Sequence, residues 1–550
     1  MKVVCVKLKR RSEKYTVEEE NKNGTYNTLI HWHDFRLKLV LEGAVVGFFA
    51  GLIVVLYRFG VETIWNFTRK HFVSNIHSFT TVILWFFIFI AIALIIGQIV
   101  KKEPMISGSG IPQVEGILLR KLKMNWLTVI IGKFFGGILA IGGGLSLGRE
   151  GPSIQIGASI GQGFSRIFKR INVEEKYLIT SGASAGLAAA FNAPLAGVMF
   201  ALEEIHKNFS PLILISAMSA SLTSDFVSKQ FFGLRPVFDF HLISPIPLKY
   251  YFYLIILGII TGVFGVAFNK MILKTQDMYG KAKWLKPEIR PIVPFIIAVI
   301  LALVYPNGLG SGHGLIMHLF HENWTLKMLF VILIVKFFFT MICYGSGVPG
   351  GIFLPLLIIG AITGNIYGEI LVKLINLDPM YIRNFIVLAM AAYFTAIVRA
   401  PITGSILITE MTGSFSNLLS LSVVSIIAYV VADALKSAPI YESLLERFIS
   451  KNDSGKNKFI GNSTNKVLLE VAVCLGTSLE QKKIKDIKWP ESCLLVSIKR
   501  GQKEIIPKGN TTIFAGDYII VLVDEDKASH IREILVDMAA EPLVEKNNIK

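Results

Sequence analysis

Long apolar runs recur along this chain, and they confine it to folds that a lipid bilayer can surround. Runs that are able to span a membrane, or to form part of a span, lie at residues 39–57, 80–100, 252–268, 292–304 and 328–342. Hydrophobic residues make up 53% of the 550 residues, charged residues only 17%, and the mean hydropathy is +0.57. This composition is typical of a polytopic membrane protein and argues against a soluble enzyme.

The charges indicate on which side of the membrane the two ends lie. The chain has 56 basic and 39 acidic residues, which gives a formal net charge of +17. The basic residues cluster at 7–11, 166–170 and 447–458. Lysine and arginine accumulate in the cytoplasmic loops of membrane proteins, which explains this charge better than nucleic-acid binding does. We therefore expect both termini in the cytoplasm and no nucleic-acid partner, and no signal-peptide pattern opens the chain.

Composition divides the chain into four segments. A cytoplasmic N-terminal segment covers 1–34, a membrane domain 35–449, a polar linker 450–465 and a small soluble α/β domain 466–540. In the last segment the pattern predicts three strands and two helices, with the strands at 467–473, 493–500 and 517–526 and the helices at 478–487 and 527–538.

Internal repetition organises the membrane domain. The segment 192–203, NAPLAGVMFALE, resembles the segment 399–410, RAPITGSILITE. Three shorter pairs precede them in the same order and at nearly the same spacing: GSG at 108 and 310, GREGP at 148 and GIFLP at 351, and IGASIG at 156 and IGAITG at 359. The sequence thus predicts two repeated halves, about 35–235 and 245–449. Uneven spans that glycine or proline interrupts at corresponding places are typical of secondary transporters.

Three glycine-rich breaks each precede an apolar helix: GSGIP at 108–112, GREGP at 148–152 and GVPGGIFLP at 347–355. A helix N-terminus carries unpaired backbone N–H groups and about half a positive charge. Several such ends that converge would bind an anion without a buried lysine or arginine, and would still let it leave. Ser109 would add a hydroxyl donor. The alternative for each break taken alone is a glycine notch where two helices pack.

Glu150, inside GREGP, places a carboxylate at membrane depth, which costs about 2.5–3.5 kcal/mol on insertion scales and usually serves a function. The deprotonated carboxylate would occupy an anion position on the same backbone donors. The protonated side chain would lose that attraction and swing away, so that one group couples proton binding to anion binding. A simple ion pair with Arg149 is the alternative.

Further polar residues stand near the repeats. Glu203 and Glu204 end the apolar run 194–202, either as a charge cluster at a helix end or with a function of their own. Glu410, the repeat mate of Glu203, is followed by methionine. Tyr441 is either an interfacial aromatic residue or a hydroxyl donor that points into the site.

No metal, cofactor or catalytic site is expected. The four cysteines are scattered, and the histidines lack a second ligand at useful spacing. A membrane enzyme that uses Glu150 as general base would need a nucleophile, a metal cluster or a cofactor motif, and we find none of these motifs in the sequence. Lys133 and Arg399 are expected to pair with backbone or acidic groups.

The ordered set GSGIP, GREGP, FNAPLAG, GVPGGIFLP, RAPITG and APIY resembles the chloride channel/transporter (CLC) family over about 43–445. The resemblance implies an all-α polytopic membrane protein of tilted, discontinuous helices in two inverted halves. It also implies a homodimer with a separate anion pathway in each subunit, with chloride as the bound substrate ion.

The same resemblance implies roles for single residues. Glu150 corresponds to the gate and outer proton carrier, and Glu204 to the inner proton acceptor of the family's exchangers. The chloride-binding residues would be Ser109, Gly151, Ile352, Phe353 and Tyr441.

Because the family's channels usually lack a carboxylate at the position of Glu204, the resemblance favours a proton–chloride antiporter of the bacterial plasma membrane. A passive chloride channel gated by Glu150 is the alternative. Serine at position 109 resembles the chloride-preferring members.

The C-terminal domain is similar to the TrkA-C domain, on the motif GNTTIFAGDYIIVLV at 509–523. The resemblance implies ligand sensing or dimerisation in the cytoplasm, and a passive dimerising domain is the alternative. This tail alone would suggest a cation transporter, but cation sites prefer carboxylates or carbonyls, whereas the broken helices offer N–H groups.

Overall fold

The computed structural model describes the backbone of residues 2–453 and 466–540, apart from 77, 239, 241–244, 283, 323, 492, 502 and 525–526. Side chains are described for 37–450, 466–528 and 530–539 within those ranges. Most of the predicted linker, 454–465, lies outside the described residues. The chain divides into two compact units, one of Met1–Val114 and Asn125–Leu445 and the other of Glu115–Met124 and Glu446–Lys550.

Helices dominate the first unit. In the described part of the chain the α-helices are α1 (Lys2–His71), α2 (Phe79–Lys102), α3 (Ile111–Leu118), α4 (Trp126–Gly142), α5 (Glu150–Ile167), α6 (Asn172–Phe191), α7 (Pro194–Phe200), α8 (Pro211–Phe232), α9 (Tyr251–Lys281), α10 (Ile292–Val304), α11 (His313–His321), α12 (Leu326–Gly345), α13 (Phe353–Ile375), α14 (Ile382–Val398), α15 (Pro401–Thr412), α16 (Leu418–Ala434), α17 (Ile440–Asp453) and α18 (Ala528–Ala540).

Eight helical segments among the described residues are long and apolar enough to cross a membrane: Leu37–Asn75, Phe79–Lys102, Pro211–Phe232, Leu248–Lys281, Leu326–Gly345, Phe353–Ile375, Pro379–Val398 and Phe415–Ala434. The sequence runs had located four of these segments. The run at 292–304 forms the 13-residue helix α10, which at about 1.5 Å per residue is too short to cross the hydrocarbon layer alone.

Within each half, neighbouring helices pack closely at glycines that the sequence repeats. A Cβ atom on Gly157 of α5 would stand 2.1 Å from the carbonyl oxygen of Gly182 in α6, and one on Gly161 would stand 2.0 Å from that of Leu178. In the second half, a Cβ on Gly364 of α13 would stand 2.1 Å from a carbonyl oxygen of α14. Since Gly161 and Gly364 end IGASIG and IGAITG, the sequence repeat corresponds to a repeated backbone contact.

The second unit contains a four-stranded antiparallel sheet. Its strands are β1 (Lys466–Ala472), β2 (Cys493–Arg500), β3 (Lys503–Ile505) and β4 (Asp517–Asp524), in the spatial order β1-β4-β2-β3. Their buried apolar side chains pack with Ile531 and Leu535 of α18. The three predicted strands and the last helix are present, and the short β3 was not predicted.

The predicted helix at 478–487 is wrong. This segment forms turns and one 3₁₀ turn, Ile484–Asp486, and Gln481 has a φ of 58°. Part of its backbone bonds to another part of the chain, since Gln481 N–H donates to the Ile513 carbonyl (2.9 Å) and Ile484 N–H to the Thr511 carbonyl (3.0 Å). A left-handed residue and partners outside the segment are incompatible with a continuous helix.

Candidate anion site

The three glycine-rich breaks meet at one place in the membrane unit. Gly148 and Gly351 exchange two backbone hydrogen bonds of 2.7 Å, and Gly350 N–H donates to the Gly108 carbonyl at 2.9 Å. Directly after these loops the helices α3, α5 and α13 begin. Their N-termini therefore converge, as the glycine pattern indicated, and their unpaired N–H groups form a region of positive potential.

Glycine is required where α3 and α5 meet. A Cβ atom on Gly151 would stand 2.8 Å from the carbonyl oxygen of Ser109, and Gly110 has a φ of 91° with Gln155 lying where its Cβ would be. No other residue fits either position without displacing its neighbours. These two glycines bring the backbone of Ser109 against the first turn of α5.

Lys133 is hydrogen-bonded to the loop that contains Ser109. The lysine is fully buried, and its Nζ donates to the carbonyls of Ile106 (2.8 Å) and Gly108 (2.7 Å). Lys336, at the repeat-related position, does the same for Gly310 (2.8 Å). Lys133 was expected to pair with backbone or acidic groups, and in the structure its ammonium group is directed at these loop carbonyls.

The Glu150 carboxylate is fully buried and folds back over Gly148. A Cβ on Gly148 would stand 2.2 Å from Glu150 Oε2 and 3.1 Å from the backbone nitrogen of Leu354. The carboxylate thus lies beside the first turn of α13, among the same backbone N–H groups that an anion would use.

Arg149 does not form the simple ion pair with Glu150 that was the alternative. Its Nη1 contacts Glu62 Oε1 at 2.5 Å. Both residues line a cavity of about 580 Å³, together with Trp65, His313 and Leu354. Because Leu354 also flanks the Glu150 carboxylate, this cavity borders the candidate site.

A row of aromatic rings connects Phe353, at the start of α13, to Tyr441. Tyr441 is fully buried, and its ring lies 6.5 Å from that of Phe200, which in turn lies 6.0 Å from the ring of Phe353. Ile352 is buried and directly precedes α13. Tyr441 is therefore enclosed by protein, and its role as a hydroxyl donor to the site stays a prediction.

The Ser109 hydroxyl oxygen accepts from the N–H of Ile111 at 3.3 Å, so this oxygen caps its own helix. The hydroxyl of Tyr344 lies against the same loop, 3.2 Å from where a Cβ on Gly108 would stand, and interacts with Ser109.

The two neighbouring glutamates of the first half have different surroundings. They lie in a π-helical turn, Ala201–His206, that continues α7. Glu203 accepts from the N–H groups of Ile402 (3.2 Å) and Thr403 (2.7 Å) at the start of α15. Glu204 is 5% exposed and close enough to Tyr441 to interact with it electrostatically. Single π turns inside helices are frequent at functional sites.

Sequence reasoning missed Tyr344 and Phe200. Both aromatic residues end apolar runs, Tyr344 just before GSGVPGG and Phe200 three residues before Glu203. An aromatic residue directly beside a glycine break or an acidic pair is a signal that would have identified both. No group of three or more potential metal ligands occurs among the residues described here.

Comparisons with protein families give two matches. The family described as "Voltage gated chloride channel" matches residues 92–433, and the family described as "TrkA-C domain" matches residues 468–536. The first match covers more than half of the chain.

Relatives match over most of their length. The H(+)/Cl(-) exchange transporter ClcA of Yersinia pestis bv. Antiqua (strain Angola) is 33% identical over 453 residues, 80% of this chain and 94% of the relative. The H(+)/Cl(-) exchange transporter ClcA of Salmonella paratyphi B (strain ATCC BAA-1250 / SPB7) is 35% identical over 431 residues, 76% of this chain and 90% of the relative.

Solved structures give a similar result. The X-ray structure of a slow cyanobacterial Cl-/H+ antiporter has a TM-score of 0.72 at 31% identity, and the match covers 76% of this chain and 99% of that one. The structure of a eukaryotic CLC transporter has a TM-score of 0.63 at 24% identity and covers 74% of both chains, which is a similarity of fold.

Proposed function

This chain belongs to the voltage-gated chloride channel family, and from this premise we propose that it exchanges chloride for protons across the bacterial plasma membrane. The membership confirms the predicted CLC resemblance, the helical membrane fold and the TrkA-C-like domain. The bacterial relatives named as exchange transporters support antiport over passive conduction.

One observation carries the proposal. A buried carboxylate, Glu150, lies among the N-termini of helices whose loops are hydrogen-bonded to one another through Gly148 and Gly351. These N–H groups stabilise a negative charge through partial positive charges. The two nearby full positive charges have other partners, since Lys133 donates to backbone carbonyls and Arg149 pairs with Glu62. Chloride and the Glu150 carboxylate then compete for the same donors.

We propose the following exchange. Ser109, Gly151, Ile352, Phe353 and Tyr441 bind chloride through hydroxyl groups and backbone N–H groups. When Glu150 takes up a proton, its attraction to the helix N-termini falls, the side chain leaves, and chloride takes its position. When the proton is released, the carboxylate returns and displaces the ion. One acidic side chain thereby couples the two fluxes.

Glu204 is proposed as the inner proton acceptor. Its burial and its interaction with Tyr441 support a path on which protons reach Glu150 from the other side of the membrane. Burying a carboxylate in a membrane domain is costly, and residues of this kind usually have a function.

We propose further a homodimer with one anion pathway per subunit, both termini in the cytoplasm, and no bound cofactor. The family membership supports the dimer, and the basic clusters at both ends support the orientation. The TrkA-C-like domain would sense a small ligand in the cytoplasm or hold the dimer together.

Purified protein in liposomes tests the exchange. Chloride efflux and internal pH are recorded together while a chloride gradient is applied. The proposal predicts that the parent moves protons against their gradient. Glu150→Ala should retain chloride flux and lose proton movement, and Glu204→Gln should lose proton movement. Chloride flux with no proton movement in the parent would select the passive channel instead.

A further inference from the structure

Tyr57 places a hydroxyl group inside the first unit, where it makes no hydrogen bond with a described residue. The side chain lies on α1, is fully buried, and its hydroxyl has no hydrogen-bond partner among the described residues. An unpaired buried hydroxyl is unfavourable, whereas phenylalanine would fill the same space without that cost. The hydroxyl would be useful if it formed a hydrogen bond in another state of the protein, with a partner that lies elsewhere in this one.

The surroundings of this hydroxyl lead directly to the candidate site. A Cβ on Gly137 of α4 would stand 2.3 Å from the Tyr57 oxygen, so that this glycine makes room for the hydroxyl. The adjacent Gly136 makes room for Pro349, 3.1 Å from where its Cβ would be. Pro349 lies two residues before Gly351, the glycine that is hydrogen-bonded to Gly148.

Glu150 contacts the other glycine of this pair, since a Cβ on Gly148 would stand 2.2 Å from its Oε2. Both of its carboxylate oxygens are buried, and neither makes a hydrogen bond of good geometry with a described residue. The Tyr57 hydroxyl and the Glu150 carboxylate are close enough to interact electrostatically. The neighbouring Arg149 is held by Glu62 and does not supply a donor to Glu150.

We propose that the Tyr57 hydroxyl is the hydrogen-bond partner of the Glu150 side chain in the second position that it takes when an anion occupies its place at the helix N-termini. A phenol hydroxyl suits this role because it accepts from a carboxylic acid and donates to a carboxylate. Tyr57 is then a positioning residue that acts through Glu150. The inference rests on the proposed competition between Glu150 and chloride.

The test is Tyr57→Phe, with Tyr393→Phe as the matched control. Tyr393 on α14 is also fully buried with an unpartnered hydroxyl, and its ring packs against Phe264 (5.3 Å) and Phe268 (6.0 Å). In liposomes we expect Tyr57→Phe to lower the ratio of proton to chloride flux about threefold, as the loss of one hydrogen bond would. Tyr393→Phe should leave the ratio unchanged. Because both variants remove one buried hydroxyl, an effect of packing alone would be similar in the two.

A second measurement separates this inference from the proposed exchange. Chloride flux is measured for four proteins: the parent, Tyr57→Phe, Glu150→Ala and the double variant that carries both substitutions. If Tyr57 acts through Glu150, the substitution changes chloride flux in the parent and has no effect in Glu150→Ala. This comparison can be made even if the parent moves no protons. That outcome would contradict the proposed exchange but not the role of Tyr57. Equal flux and equal ratio in Tyr57→Phe and the parent, or an equal effect in both backgrounds, would overturn the inference.

Discussion

Glu203 and Glu410 cap each other's helices across the two halves of the membrane domain. Glu203, in the turn that continues α7, accepts from the N–H groups of Ile402 and Thr403 at the start of α15. Glu410, near the end of α15, accepts from those of Leu195 (3.1 Å) and Ala196 (2.8 Å) at the start of α7. The most extensive sequence repeat thus forms a reciprocal pair of caps.

Removing either cap should destabilise the membrane domain. Because each carboxylate satisfies two N–H groups at a helix start, we expect Glu203→Ala and Glu410→Ala each to cost about 1–2 kcal/mol. Thermal unfolding of the purified protein measures the loss. Glu322→Gln, which changes an exposed glutamate paired with His318, is the control. Unchanged melting of both alanine variants would show that the caps contribute nothing.

Lys133→Met should weaken chloride binding. The substitution leaves the carbonyls of Ile106 and Gly108 without their donor and releases the loop that positions Ser109. We expect the chloride KM to rise about fivefold, the equivalent of roughly 1 kcal/mol. Lys336→Met makes the same change at the repeat-related loop, and there the KM should stay within about twofold. A similar rise in both variants would contradict a specific role for Lys133.

Glu62→Gln should strengthen the attraction of the cavity for anions. Without the carboxylate, the Arg149 guanidinium remains beside the site with its charge uncompensated, which raises the local concentration of chloride. We expect the chloride KM to fall about threefold at low ionic strength, and less in high salt because exposed charges are screened. Glu322→Gln again serves as control, since Glu322 lines the same cavity but does not contact Arg149. An equal change in the two variants would rule out the specific pairing.

Arg500 and Asp517 stabilise the sheet of the C-terminal domain. Asp517 is 1% exposed, and both of its oxygens accept from Arg500 at 2.8 Å. Burial alone raises the pKa of Asp517, but the hydrogen bonds from Arg500 and from Phe514 N–H outweigh it, and the pKa is lowered from its ordinary value. Stability from this pair is therefore fully present above about pH 3.9, the ordinary aspartate value, and is lost as the pH falls through the lowered pKa.

Arg500→Met should cost about 1–3 kcal/mol at neutral pH, because it leaves a buried carboxylate unpaired. The cost should shrink on acidification, as protonation removes that charge. Hydrogen exchange of β2 and β4 peptides in the full chain measures it. Lys499→Met, which breaks an exposed contact with Glu470, should cost less than about 1 kcal/mol. A cost for Arg500→Met that grows as the pH falls would contradict this assignment.

Local patterns predicted the parts of the fold that neighbouring residues determine. The glycine breaks placed the starts of α3, α5 and α13, and the repeats identified corresponding glycines at two helix contacts. The helix predicted at 478–487 was wrong because its backbone partners lie near Thr511 and Ile513, which no pattern within the segment reveals. The spans Pro211–Phe232 and Pro379–Val398 were missed because polar and small residues interrupt their apolar runs.

The candidate site shows the same limit. Glu150 and Ser109 stand out in the sequence because their motifs are unusual in an apolar chain. The partner of Arg149 is Glu62, 87 residues earlier, and the partners of Lys133 are backbone carbonyls, so neither contact has a sequence signal. Tyr57 does not stand out among the other aromatic residues of α1, and only its buried hydroxyl in the folded chain distinguishes it.

The proposed exchange requires that an anion and the Glu150 carboxylate use the same backbone donors. Diffraction from bromide-soaked crystals of the parent and of Glu150→Ala tests it most directly, because bromide gives an anomalous signal. We expect a peak among Ser109, Phe353 and Tyr441 in both proteins, and a second peak beside Leu354 N–H only in Glu150→Ala. An absence of halide at these helix N-termini in both proteins would contradict it.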